Sequence, residues 1–143
     1  MNVPEKSAVH WSFWAISGFC LVWNLMGVGA YMAEFSDEFM ASLPDAERAL
    51  REQRPAWATA AFAIAVWGGS VGCLLLLLRK RIAFGILVAS LVGVIVQMYF
   101  NLVIAESTVV YGPGEVAMTV MIPVIAAFLV WYSRHAASRG WIG

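Results

Sequence analysis

Residues 56–104 read AWATAAFAIAVWGGSVGCLLLLLRKRIAFGILVASLVGVIVQMYFNLVI, and this stretch decides the fold. Two apolar runs, Ala56 to Leu78 and Ile82 to Ile104, flank the tripeptide Arg79-Lys80-Arg81. Each run exceeds the roughly 20 apolar residues that cross a bilayer's hydrocarbon core. Neither holds an ionised side chain. The charged tripeptide between them is long enough only for a tight turn, so the two runs form an antiparallel hairpin of membrane helices.

Outward from this hairpin lie two more spans, Trp11 to Met32 and Val116 to Tyr132, the second of them shorter and carrying Pro123. The fold class is therefore all-α: one transmembrane four-helix domain over residues 1–143, with a polar loop from Glu34 to Pro55. The first span is longer than the roughly 7–15 residues of a signal-peptide core, and no A-x-A cleavage site follows it, so it reads as a retained helix. Composition agrees. The chain is 62% hydrophobic and only 13% charged, with a mean hydropathy of +0.77. Soluble domains carry about a quarter charged residues, so this chain needs lipid as part of its solvent.

Basic residues set the orientation. With the N-terminus inside, Lys6, Arg79, Lys80, Arg81, Arg134 and Arg139 fall on the cytoplasmic side. Arg48, Arg51 and Arg54 fall outside among acids, which weigh little in the positive-inside bias. The expected topology is multi-pass, with both termini cytoplasmic. Trp11, Trp57, Trp131 and Trp141 sit at the interfaces as an aromatic belt. Within the outer loop, Ser42 reads as an N-cap with Pro44 in the first turn. Glu47 with Arg51 and Arg48 with Glu52 are spaced for i,i+4 pairing. One or two short interfacial helices follow, serving as a connector between spans 1 and 2 more than as a lid. Glu106, Glu115 and His10 read as interfacial, and a clasp from them to the loop arginines is conceivable on charge alone.

The helix faces carry the rest of the signal. Ser17, Cys20, Asn24, Gly27 and Tyr31 form one stripe at 3,4 spacing on span 1. Span 2 repeats it with Ala58, Ala61, Ala65, Gly68 and Gly72, span 3 with Ser90, Gly93, Gln97 and Asn101, and span 4 with Thr119, Pro123, Ala126, Val130 and Ser133. Small residues let membrane helices approach closely and amides bond across them. Ser17, Gly27, Ala61, Ala65, Gly68, Gly72, Ser90 and Gly93 are thus helix-packing residues of a compact bundle. A second row on span 2, Ala61, Ala65, Gly69 and Cys73, offers a contact to another copy of the chain, a homodimer through span 2. Trp23 and Trp67 fall away from the stripes, facing lipid or a flank.

The same stripes admit a second reading. Asn24, Tyr31, Gln97 and Asn101 are the candidate ligand-binding residues of a polar cavity for a small polar solute, because amides in hydrocarbon must meet one another, water or a ligand. Interhelical bonding is the commoner outcome. Ionisable groups, which coupled carriers, pumps and channels place inside the membrane, are missing from the spans. No nucleophile motif, acid–base pair, metal-ligand cluster or phosphate loop is present, so no enzyme activity, cofactor or metal is expected. Nor does any basic block suggest nucleic acid. Cys20 and Cys73 read as buried free thiols.

Three strings, CLVWNLMGVGAYM (20–32), MASLPDAERALREQRPAWATAAFAIAVWGGSVGCLLLLLRKRIAF (40–84) and FLVWYSRHAASRGWIG (128–143), resemble a family of small bacterial four-span membrane proteins often labelled sugar transporter. The resemblance runs over nearly the whole chain. It implies a bacterial inner-membrane location and transport of a small, sugar-like solute, and it supplies no substrate or catalytic residue. The residues themselves favour an accessory or assembly subunit of a larger membrane complex.

Overall fold

The computed structural model describes residues 9–104 and 113–143. Helix α1 (Trp11–Ala33) is followed by two short helices, α2 (Asp37–Ser42) and α3 (Asp45–Glu52). Helix α4 (Ala56–Leu77) and helix α5 (Ala83–Tyr99) form the central hairpin, α5 continues as a π-helical segment (Phe100–Ile104), and α6 (Pro113–Ser138) closes the chain. Four of these helices, counting α5 with its extension, are long and apolar enough to cross a membrane. The chain is an all-α, four-helix integral membrane protein.

The hairpin turn has a definite chemistry. Arg79 adopts φ 59°, its N–H donates to the Leu76 carbonyl at 2.8 Å, and the Lys80 N–H donates to the Leu75 carbonyl at 2.9 Å. These two bonds close α4 in a Schellman motif, in which a left-handed residue satisfies the last helical carbonyls. Glycine is the usual occupant. Here the arginine is held by its own contacts: Nε donates to the Trp141 carbonyl at 2.6 Å, and the Gly143 N–H donates to the Arg79 carbonyl at 3.2 Å. The C-terminal tail is thus fastened beneath the hairpin. Helix α6 ends the same way at Gly140, φ 73°, with the Trp141 N–H on the Ala136 carbonyl at 2.9 Å.

The packing order is α1 on α4, α4 on α5, and α5 on α6. At the end carrying both termini the four helices share one core, in which Phe13, Leu76, Leu87, Leu129 and Ala136 are buried with Tyr132 and Ile142. The Phe13 and Tyr132 rings stack there with centroids 6.3 Å apart, joining α1 to α6. Farther from the termini α1 and α6 part. The bundle is therefore packed most closely at the end carrying both termini. Met118, Ile122, Ile125, Ala126 and Leu129 of α6 line the space between the two helices.

Three further details differ from the sequence reading. Helix α6 does not stop at Tyr132 but runs to Ser138. Hydropathy falls at Arg134 while the helical hydrogen bonding continues to the glycine stop. Pro123 does not end it either, since membrane helices tolerate interior proline when neighbours compensate the freed backbone. Ser42 is not an N-cap. It is the last residue of α2, its hydroxyl donating to the Phe39 carbonyl at 2.6 Å, and the cap of α2 is Ser36, whose Oγ accepts from the Phe39 N–H. Arg48 turns to Asp45 at 3.4 Å instead of Glu52, and it also donates to the Met40 and Leu43 carbonyls at 2.9 Å. It thereby satisfies the C-terminal carbonyls that α2 leaves open.

Candidate functional site

Helix–helix contact begins with the small residues. A Cβ added to Gly93 would lie 2.9 Å from the Ala61 carbonyl oxygen and 3.0 Å from the Ala65 nitrogen, so α4 and α5 meet backbone to backbone there. Ser90 lies against Gly68 on the same seam, and its hydroxyl donates to the Ala65 carbonyl at 2.7 Å. Gly72 faces Leu87, and Gly27 of α1 faces Val66 of α4. Ala61 and Ala65 are buried, as is Ser17, whose hydroxyl has no partner among the described residues. The second row on α4, Ala61, Ala65, Gly69 and Cys73, is also buried within this chain. The face that α4 leaves exposed is bulky: Ile64, Trp67, Val71 and Leu74.

The four candidate ligand residues do not gather at one point. Asn24 donates through Nδ2 to the Cys20 carbonyl at 2.8 Å and to Cys73 Sγ at 3.6 Å, and its side-chain oxygen lies against Gly69. Tyr31 packs edge-on between Phe35 and Phe62, at 5.2 Å and 5.3 Å. Asn101 falls in the π-helical segment. The wider i→i+5 turn breaks the 3.6-residue period, so Asn101 leaves the arc that Ser90, Gly93 and Gln97 share. Only Asn24 and Gln97 border a common cavity.

That cavity is a crevice of about 280 Å³ between the parted halves of α1 and α6, floored by α4 and α5. Its α1 wall carries Trp23, Met26 and Gly27, its α6 wall Met118, Ile122 and Ala126, and its floor Val66, Leu87 and Val94. The lining is overwhelmingly apolar. Of its polar members, Asn24 and Ser90 are already bonded within the protein, leaving Gln97, which is 8% exposed and makes no hydrogen bond among the described residues. Met26 and Met118 border the crevice yet are 62% and 48% exposed, so it opens sideways between the two helices. Trp23, expected on a flank, is half-buried at this rim. Of the span 4 stripe, Ala126 lines the crevice beside Ile122 and Leu129 and Ser133 is buried. No sequence signal separates bulky apolar residues that line a crevice from those that face lipid.

At the far end from the termini, Glu34 ties the polar segment down. Its carboxylate receives the Arg54 guanidinium at 2.9 Å and 3.0 Å and an Arg51 N–H as well. Arg54 also lies over the Phe62 ring, 5.5 Å from its centroid. The segment is thereby fastened to α1 and α4. The clasp involving Glu106 and Glu115 lies outside the described residues, and His10 instead bonds Ser12, Nδ1 to Oγ at 2.7 Å. Among the described residues no group of His, Cys, Asp and Glu is arranged to hold a metal ion.

The chain matches no protein-family model, no curated protein and no solved structure.

Proposed function

We propose that this protein is a non-catalytic accessory or assembly module of a bacterial inner membrane, both termini cytoplasmic, whose working surface is the crevice between α1 and α6. The observation that carries the reading is the character of that crevice: about 280 Å³ bounded by aliphatic and aromatic side chains, with the Asn24 amide donors and the Ser90 hydroxyl bonded internally. A sugar presents several hydroxyls, and each hydroxyl left unpaired in an apolar site costs about 1–3 kcal/mol. The Gln97 amide and the Asn24 side-chain oxygen do not offset that. A hydrophobic occupant drawn from the bilayer suits the lining.

The carrier reading suggested by the family resemblance rests on a different observation, that Asn24 and Gln97 border one cavity. Four spans are few for alternating access, which is commonly built on paired repeats, so a carrier would need a dimer. A dimer through span 2 would use the bulky Ile64, Trp67 and Leu74 face, because the small-residue row is occupied within the chain. Uptake of a radiolabelled sugar panel into proteoliposomes separates the two readings. The module reading predicts uptake equal to empty vesicles. Uptake above that level, lost in Asn24→Leu, overturns it.

A further inference from the structure

We infer that the crevice is a binding site for a membrane-dissolved, quinone-like molecule, an uncharged ring carrying a carbonyl on an apolar tail, held by the Gln97 amide. The inference rests on the crevice being the module's working surface, and it names the occupant.

Three observations converge on that chemistry. Gln97 is more than nine-tenths buried, lines the crevice, and has no hydrogen-bond partner among the described residues. An amide without a partner in an apolar surround is costly, and a neutral carbonyl accepting from it removes that cost without bringing charge into hydrocarbon. The size is right for a ring. At about 280 Å³ the space is nearly twice the roughly 150 Å³ of an apolar protein cavity that takes up benzene. Depth excludes the commonest alternative. Gln97 stands six residues before Val103 in a candidate span whose helix continues to Ile104, so about 9 Å or more of helix rise separates it from that end. The ester carbonyls of a glycerolipid stay at the edge of the hydrocarbon with their headgroup, whereas a headgroup-free ring reaches this level. The sideways opening past Met26 and Met118 leaves the tail in lipid, and the Trp23 and Phe62 rings offer flat apolar neighbours.

The test is photolabelling of the full chain in proteoliposomes with an azido derivative of decylubiquinone, mapped by peptide mass spectrometry. Labelling is expected on crevice residues of α1 and α6 and is expected to be chased by excess decylubiquinone. Gln97→Leu should raise the half-labelling concentration about tenfold, equivalent to about 1.4 kcal/mol. Ala126→Trp, which fills the crevice, should abolish labelling, and Asn101→Leu, outside it, should leave labelling unchanged. The helical content and melting of each variant are read alongside, and Gln97→Leu, near in size to the native residue, keeps the test sound if the tryptophan variant misfolds. Labelling spread evenly over lipid-facing surfaces, labelling indifferent to Gln97→Leu, or an equal chase by dioleoylglycerol each overturns the inference. Any of these leaves the module reading standing, which sugar uptake lost in Asn24→Leu contradicts.

Discussion

The Ser90 hydroxyl of α5 donates to the Ala65 carbonyl of α4 at 2.7 Å, across a seam where Gly68 and Gly93 admit the two backbones. Ser17 sits on the corresponding stripe of α1, equally buried, with its hydroxyl unpartnered among the described residues. The two serines should respond oppositely to alanine. Ser90→Ala removes a made bond and is expected to lower stability by about 0.5–1 kcal/mol. Ser17→Ala removes an unsatisfied hydroxyl and is expected to be neutral or slightly stabilising. Reversible unfolding in mixed detergent micelles measures both, and equal losses would mean that Ser17 has a partner.

Gly93 and Gly85 lie on the same helix and differ in what surrounds them. A Cβ at Gly93 meets backbone atoms of α4 at 2.9 Å and 3.0 Å, and one at Gly85 meets nothing within 4 Å. Backbone cannot rotate away, so Gly93→Ala should cost about 1–3 kcal/mol as overpacking. Gly85→Ala should gain up to about 1 kcal/mol from helix propensity. The same unfolding assay distinguishes them.

The Glu34 carboxylate pairs with both Arg51 and Arg54. Glu34→Gln removes the charge that both guanidiniums pair with, and the segment from 35 to 54 should loosen. Limited trypsin digestion reads this directly. Cleavage after Arg48 and Arg51 is expected to quicken several-fold in Glu34→Gln while the spans stay protected (Arg54 precedes Pro55 and is not a trypsin site), and unchanged digestion would show that the ion pairs do not anchor the segment.

The left-handed stop at Gly140, φ 73°, predicts that Gly140→Ala lowers stability by about 1 kcal/mol. Arg79→Ala should cost at least as much, because it keeps the left-handed backbone and loses the 2.6 Å bond to the Trp141 carbonyl. A differential melt of the two variants checks the order.

The four spans were legible in the sequence because hydropathy over about 20 residues is a strong physical signal. The α4–α5 seam was equally visible, since Gly68, Gly72, Ser90 and Gly93 recur at helical spacing. The site was only half legible. Asn24 and Gln97 reach the crevice, but Asn101 is carried off by a π turn that no residue pattern announces. Ser42 does not cap α3, which starts after Pro44 with no side-chain cap, because Ser42 is itself the last residue of the preceding helix. Above all, the crevice between α1 and α6 is lined by Met118, Ile122 and Leu129, whose identities are those of any lipid-facing residue.

The central claim is that the crevice between α1 and α6 is apolar and continuous with lipid. A nitroxide at position 126, introduced as Ala126→Cys in a Cys20→Ala, Cys73→Ala background and read by power-saturation electron paramagnetic resonance in proteoliposomes, samples its medium directly. The account predicts frequent collisions with oxygen and few with a water-soluble nickel chelate. A label that collides chiefly with the nickel chelate would show an aqueous pathway and contradict it.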